Sequence, residues 1–226
     1  MWRRLMTQKP NLVTLSDPRS AVAEAYRALR TNLTFAGFDK PIESLVVTSA
    51  APGEGKSATV TNLAVTIAQG ERKTVLVDAD LRRPGLHELF GLPNDRGLTT
   101  MFVESEALAQ PPLLETGVDN LALLPSGPLP PNPADLLGSH RMEEIVAALR
   151  AQADIVLFDA PPVVAVTDAT VLGTKVDGVL LVVSAGRTRR DHAQRARELL
   201  ERAHVRVVGA VLVNASSRAV MGYYGS

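Results

Sequence analysis

The sequence has no cysteine among its 226 residues and few aromatic side chains. Without cysteine, disulfide bonds, thiolate metal sites and a cysteine nucleophile are all excluded. Basic and acidic residues balance to a formal net charge of zero, which argues against nucleic-acid binding through bulk charge. No apolar stretch is long enough to span a bilayer, and the basic residues 1–5 lack the apolar core of a signal peptide. These absences predict a cytoplasmic protein that does not bind nucleic acid.

The most informative segment that is present, residues 49–57, reads Ser-Ala-Ala-Pro-Gly-Glu-Gly-Lys-Ser and follows a short apolar run. A strand, a glycine-rich turn and then a helix form the context of a phosphate-binding loop. Backbone N–H groups of such a turn wrap phosphate, the lysine reaches the outer phosphates and the serine hydroxyl binds Mg²⁺. An ordinary Pro-Gly turn, the alternative, does not account for the flanking strand and helix. The predicted phosphate-binding residues are Pro52, Gly53, Glu54, Gly55, Lys56, Ser57 and Ala58.

Apolar runs with little polar alternation, typical of strands covered on both faces, alternate with segments of helical periodicity. The predicted strands are 43–49, 74–79, 121–124, 154–159, 178–184 and 205–214. The predicted helices are 20–33, 56–69, 134–151 and 188–203, with short helices and loops over 85–118. Asn132 is expected to cap a helix whose first residue is Pro133. The alternation predicts a doubly wound α/β fold, with a mostly parallel sheet flanked by helices.

The pattern divides the chain into three parts. Residues 1–18 form an N-terminal arm, residues 19–214 a P-loop domain, and residues 215–226 a C-terminal tail. The tail loses apolar periodicity and is therefore expected to be flexible. It carries Tyr223 and Tyr224, which are two of the three tyrosines in the chain.

Aspartates stand at the ends of two predicted strands. Asp78 and Asp80 follow one apolar run, and Asp159 follows another. Since the carboxyl ends of parallel strands meet at one edge of a sheet, all three are expected beside the phosphate loop. Oxygen ligands suit Mg²⁺, so Ser57, Asp78 and Asp159 are candidate metal ligands, and Asp80 could accept a proton from an attacking hydroxyl or water. One such aspartate could equally be a turn former, but three together favour a site.

Five segments closely resemble the bacterial tyrosine kinases of capsule and exopolysaccharide synthesis, often called BY-kinases. These segments are 24–33 (with Glu-x-x-Arg-x-x-Arg), 49–57, 75–84, 127–137 (rich in proline) and 155–162. The resemblance covers nearly the whole chain and places it among the MinD- and ParA-like P-loop ATPases. Many of those ATPases carry a second lysine early in the loop, where this sequence has Ala51, and this difference favours the kinase branch.

The resemblance implies an ATP-dependent, Mg²⁺-dependent protein-tyrosine kinase, with Asp80 activating the attacking tyrosine hydroxyl. The implied catalytic residues are Lys56, Asp78, Asp80 and Asp159. Arg82 and Arg83 would lie near the site, where both could contact phosphate or incoming substrate. Asn214, at the end of the last strand, matches the place where relatives contact adenine.

The resemblance also implies an assembly at the membrane. Neighbouring subunits would phosphorylate Tyr223 and Tyr224, and Glu24, Arg27 and Arg30 would contact the next subunit of a homo-oligomeric ring. At i, i+3 and i+6 these three residues could instead form a solvated ladder of ion pairs. A membrane-embedded polysaccharide chain-length regulator would activate the protein and recruit it to the inner face of the plasma membrane, and a cognate tyrosine phosphatase would reverse the modification.

Two other functions remain open at this point. The first is an ATPase switch of the MinD or ParA kind, against which Ala51 and the tail tyrosines argue. The second is a non-catalytic module that binds nucleotide to hold an assembly together, against which Lys56 and the three aspartates argue. The basic segment 187–206 is interpreted as a solvated face, because acidic residues interrupt it.

Overall fold

A central sheet of seven strands organises the chain in the computed structural model, which describes residues 12–215. The strands are β1 Ser44–Ser49, β2 Thr74–Asp78, β3 Leu114–Glu115, β4 Leu121–Leu124, β5 Ile155–Asp159, β6 Gly178–Ser184 and β7 Val207–Val213. Their spatial order is β3-β4-β2-β5-β1-β6-β7. All pairs are parallel except β3 with β4. This confirms the predicted sheet, and each of the six predicted strands is observed within two residues of its expected bounds.

Helices cover both faces of the sheet, as a doubly wound fold requires. They are α1 Val13–Ser16, α2 Ala21–Ala36, α3 Lys56–Ala68, α4 Leu86–Phe90, α5 Leu98–Val103, α6 Ser105–Ala109, α7 Pro133–Gly138, α8 His140–Arg150, α9 Asp168–Gly173 and α10 Arg190–Arg202. Helix α3 is buried from its second turn onward, since the sheet covers one side and α1 and α2 contact it. Two apolar clusters, one on each face of the sheet, form the core. Within residues 12–215, none of these helices has the length and apolar character to cross a bilayer.

Some elements differ from the prediction. The helix expected over 134–151 is two helices, because Ser139 takes an extended conformation (φ −68°, ψ 159°) between α7 and α8. Gly138 and Ser139 are weak helix formers, and the Ser139 hydroxyl donates to the Leu136 carbonyl instead. Asn132 does stand at the N-cap of α7, but its side chain makes no capping hydrogen bond.

Three short elements have no counterpart in the prediction. Helix α1 lies within the segment assigned to the N-terminal arm, and both the backbone N–H and the hydroxyl of Thr14 donate to Asn62 Oδ1 on α3. Helix α9 and strand β3 have six and two residues. Segments this short cannot show a periodic pattern, so their absence from the prediction has a simple cause.

The strand order brings the predicted site together. Strands β2, β5 and β1 are adjacent, and Asp159 at the end of β5 is in register with Asp78 on β2 and Val47 on β1. The phosphate loop follows β1 directly. The carboxyl ends of these three parallel strands therefore meet at one edge of the sheet, where doubly wound folds bind their ligands.

Candidate active site

The phosphate loop connects β1 to α3 over residues 50–55. Gly53 and Gly55 have φ angles of +75° and +86°, in the left-handed region that glycine adopts without steric cost. Gly55 is the N-cap of α3, so the first N–H groups of this helix are available to an anion. A cavity of about 680 Å³ opens beside the loop. All of the predicted phosphate-binding residues except Glu54 line it: Pro52, Gly53, Gly55, Lys56, Ser57 and Ala58.

Lys56 lies between two buried carboxylates at this wall. Its Nζ is 3.0 Å from Asp80 Oδ2 and 3.2 Å from Asp159 Oδ1. Burial lowers the pKa of Lys56, but Asp159 and Asp80 together raise the pKa by more, so the ammonium stays charged. Burial also raises the pKa of Asp159, against the opposing charge of Lys56. The arrangement holds a fixed positive charge at the start of α3, where phosphate groups would develop negative charge during transfer.

Asp78 and Asp80 have different partners, although they are two residues apart. Asp80 Oδ1 accepts the Arg83 N–H and its other oxygen faces Lys56. Asp78 Oδ2 accepts the N–H groups of Gly85 and Leu86, both at 2.9 Å. The buried Asp78 Oδ1 has no hydrogen-bond partner among the described residues. Burial, together with the nearby charge of Asp159, raises the pKa of Asp78 to about 7.

The candidate metal ligands Ser57, Asp78 and Asp159 fit Mg²⁺. Asp78 Oδ1 is a buried oxygen without a partner among the described residues, and Ser57 Oγ and Asp159 Oδ1 both lie within 3.4 Å of Lys56 Nζ. Among residues 12–215, no three His, Asp or Glu side chains are grouped so that they could hold a metal by themselves. Mg²⁺ usually takes only one or two carboxylates and completes its shell with water and substrate phosphates. The donor set therefore suits a metal that arrives with a nucleotide.

Asp78→Asn is expected to stabilise the nucleotide-free protein at pH 8. The pKa of Asp78 is about 7 in the fold, whereas an aspartate in the unfolded chain has a pKa of 3.8. Between these two pH values the folded protein therefore holds a proton that the unfolded chain has lost. Its stability therefore falls as pH rises through this window. Asparagine is neutral, so it avoids most of the cost of ionising a buried carboxyl group, and the free energy of unfolding should rise by about 2 kcal/mol. This gain is smaller than the pKa difference alone would give, because one N–H of the buried amide lacks a partner.

Urea unfolding curves between pH 4 and pH 8 would measure this difference, with Asp119→Asn at an exposed position as the control. The gain from Asp78→Asn should be largest at pH 8 and vanish near pH 4. A gain that is the same at every pH would contradict a buried, proton-linked Asp78.

Arg82 has a partner that the sequence did not reveal. Its Nε and Nη2 donate to Asp168 Oδ1 and Oδ2 at 3.0 and 3.1 Å, and Asp168 is fully buried at the start of α9. The Arg82 side chain borders the cavity, but its guanidinium is hydrogen-bonded to Asp168. A contact between Arg82 and phosphate or substrate stays a prediction. The signal for Asp168 was Thr167-Asp168 before a short apolar run, which is a pattern typical of a helix start.

Four residues of the predicted nucleotide site are not part of the cavity wall: Glu54, Asp78, Asp159 and Asn214. Asn214 follows β7 with a φ of +57°, and its Nδ2 donates to Ser184 Oγ at 3.0 Å. Its contact with adenine stays a prediction. Glu54 points away from the cavity, with its carboxylate bonded to the Ala51 N–H and the Thr188 hydroxyl. Pro161, Pro162, Ala165 and Val166, which the sequence did not single out, form an apolar wall opposite the loop.

The three residues expected at a ring contact do not behave alike. Arg27 is paired with Glu24 at 2.7 Å on the outer side of α2. Arg30 instead donates to the Thr66 carbonyl of α3 at 2.7 Å. It also borders a second cavity of about 500 Å³ at the opposite edge of the sheet, far from the phosphate loop. The predicted phosphoacceptors Tyr223 and Tyr224 lie outside the described residues.

Comparison with known proteins places this site in a family context. A family model described as ParA, NUBPL iron-transfer P-loop NTPase, matches residues 42–220. The tyrosine-protein kinase YwqD of Bacillus subtilis (strain 168) is 42% identical over 218 residues, which cover 96% of this chain and 92% of the relative. The matched span therefore covers nearly all of the described structure, including the positions of the phosphate loop.

Solved structures agree with the sequence comparison. The kinase domain of Escherichia coli tyrosine kinase ETK superposes with a TM-score of 0.87 at 33% identity, covering 96% of this chain and 85% of the other. The chimerical protein CapA2B2 superposes with a TM-score of 0.84 at 36% identity, covering 89% and 88%.

Proposed function

This chain belongs to the bacterial tyrosine kinases of the capsule and exopolysaccharide type, within the ParA- and MinD-like P-loop ATPases, and from that premise we propose that it phosphorylates its own C-terminal tyrosines in trans. It is a nucleotide-binding tyrosine-protein kinase by this membership. The observation that best supports the proposed reaction is Lys56, held within 3.2 Å of Asp80 and Asp159 at the cavity wall. ATP is the phosphoryl donor, and a tyrosine of a neighbouring subunit is the acceptor.

Residues at the cavity and beside it have proposed parts in the transfer. Loop N–H groups and Lys56 bind the β- and γ-phosphates, and bound Mg²⁺, held by Ser57, Asp78 and Asp159, would offset the charge of the phosphates. The tyrosine oxygen forms a bond to the γ-phosphorus while the bond to the β–γ bridging oxygen breaks, and ADP leaves. Asp80, beside Lys56, accepts the phenol proton. The apolar wall from Pro161 to Val166 would contact the phenol ring.

The proposal is tested by incubating the full chain with Mg-ATP and measuring protein-bound and free phosphate together. A kinase transfers phosphate to tyrosine, with little free phosphate released. An ATPase switch of the MinD or ParA kind would release free phosphate and leave the protein unlabelled. Binding of ATP with neither product would favour a non-catalytic assembly module.

We further propose a partner at the membrane, a chain-length regulator that activates the kinase and recruits it to the inner face of the plasma membrane. The likeness to the chimerical CapA2B2 and the lack of a membrane-spanning helix within residues 12–215 support this. Repeating the incubation with the regulator's cytoplasmic segment should raise the rate of labelling, and an unchanged rate would argue against it. A cognate tyrosine phosphatase would remove the phosphate.

The homo-oligomeric ring would use the exposed part of α2. Arg27→Glu reverses the charge next to Glu24 and should shift the protein from ring to monomer, measured as mass by light scattering. Arg30 is left intact because it anchors α2 to α3 through Thr66. The matched control is Arg197→Glu on α10, which disrupts a similar exposed pair with Glu201. A monomeric wild-type protein, or an Arg27→Glu variant with unchanged mass, would contradict the ring.

A further inference from the structure

The phosphate loop contains a buried carboxylate, which is unexpected in a loop that must bind anions. Glu54 is only 3% exposed. Its Oε2 accepts the Ala51 N–H at 2.9 Å, and its Oε1 accepts the Thr188 hydroxyl at 2.6 Å. A negative charge here opposes phosphate binding, and burying it without partners would be costly. Since both oxygens are satisfied and neither faces the cavity, the role of Glu54 lies in the shape of the loop.

Thr188 belongs to the β6–α10 loop, residues 185–189, which lies against the phosphate loop. The Thr188 hydroxyl donates to Glu54 and accepts the Ser184 N–H at 2.8 Å, so that its orientation is fixed. Beside it, Arg187 Nη1 donates to the Gly53 carbonyl at 2.9 Å. Arg187 and Thr188 thus form hydrogen bonds with Gly53 and Glu54, which are consecutive residues of the phosphate loop. The two loops are more than 130 positions apart in the chain.

The same contacts continue toward the end of β7. Ser184, which bonds Thr188 through its backbone, accepts the side-chain amide of Asn214 on its hydroxyl oxygen at 3.0 Å. A connected set of hydrogen bonds therefore extends from Ala51 in the phosphate loop to the last described strand. Buried or partly buried networks of this kind fix a single backbone arrangement when every member is satisfied.

We propose that Glu54 and Thr188 are positioning residues that hold the phosphate loop in its nucleotide-binding shape, an inference that rests on the proposed function. Gly53 and Gly55 give this loop wide conformational freedom. A flexible loop that becomes ordered when the ligand binds loses conformational entropy, and this cost lowers the affinity. A loop that already has its binding shape avoids the cost. The Glu54–Thr188 hydrogen bond supplies the restraint from outside the cavity, so that the loop N–H groups already point at the phosphates of ATP.

Titration calorimetry of the full chain with Mg-ADP tests this inference. Thr188→Val removes the hydroxyl and should weaken ADP binding about tenfold, since the lost hydrogen bond is to a charged group. Thr188→Ser keeps the hydroxyl and should bind ADP as the wild type does. Glu54→Ala also removes the hydrogen bond from the Ala51 N–H, so it should lose at least as much affinity as Thr188→Val. The double variant should bind ADP no more weakly than Glu54→Ala alone, because the Thr188 hydroxyl acts on the loop through Glu54.

The controls separate positioning from general stability. Thr174→Val removes an exposed hydroxyl that bonds only the Val171 carbonyl, and it should leave ADP affinity unchanged. Thermal unfolding without nucleotide monitors the fold of every variant. A Thr188→Val protein that unfolds earlier but binds ADP like the wild type would overturn the inference, as would independent losses that multiply in the double variant. Wild-type protein that binds no ADP would overturn the proposed function together with it.

Discussion

Lys56→Met should reduce phosphate transfer by about 10³-fold, while the protein remains folded. Lys56 is the only side-chain ammonium at the wall of the phosphate-loop cavity among the described residues. Methionine has a similar length but carries no charge. The phosphates therefore lose a cation whose electrostatic attraction is greatest when negative charge develops on them during transfer. Intact-mass spectrometry after incubation with Mg-ATP measures the phosphate attached to the protein. Transfer at the wild-type rate would remove Lys56 from the mechanism.

A fold control is needed because Lys56 also neutralises its neighbours. Without it, Asp80 and Asp159 lose their shared cation, and Asp159 is almost fully buried. The variant should therefore unfold somewhat earlier at neutral pH than the wild type. Circular dichroism and a cooperative thermal transition would establish that the lost activity comes from the site. Lys175→Met, which removes a similarly shielded ammonium group paired with Glu143 away from the cavity, is the matched control and should label normally.

Replacing Tyr223 and Tyr224 together with phenylalanine should eliminate most self-labelling. Phenylalanine keeps the ring and lacks the oxygen that accepts phosphate. The third tyrosine, Tyr26, is expected to be a poorer acceptor, because it is half-buried on α2 and burial raises the pKa of its phenol. Labelling is measured as intact mass and by peptide mapping.

The control for this experiment is Tyr26→Phe, which should label as the wild type does. If the double tail variant kept its full label, the acceptor would lie elsewhere, and Tyr26 would be the only tyrosine left. Tyr223→Phe and Tyr224→Phe alone would then show whether one position or both accept phosphate.

The sequence predicted those features that depend on contiguous residues or on strand ends. The phosphate loop is one short segment, and its strand and helix follow directly from apolar periodicity. Asp78 and Asp159 could be brought together from sequence because parallel strands end at a common edge of the sheet. The distance of Asp80 from Lys56 agrees with the same reasoning.

The features that the sequence did not predict are pairs between distant side chains. Arg82 and Asp168 are 86 positions apart, and Thr188 and Glu54 are 134 apart. No local pattern signals such a pair, because each residue alone is equally typical of a solvated surface. The break at Ser139 has a different signal, which is not a proline but the spacing of the buried residues. Leu137 and Met142 are five residues apart, whereas one continuous helix would bury residues three or four apart.

A mixing experiment with two complementary variants tests most directly whether this kinase labels its tail in trans. Lys56→Met supplies an intact tail without activity, and the Tyr223→Phe, Tyr224→Phe protein supplies activity without an acceptor. The two differ in mass and can be followed separately by intact-mass spectrometry after addition of Mg-ATP. If one subunit phosphorylates another, phosphate should be found on Tyr223 or Tyr224 of the Lys56→Met protein only in the mixture. An unlabelled Lys56→Met protein in the mixture, beside a wild-type protein that labels itself, would contradict transfer between subunits.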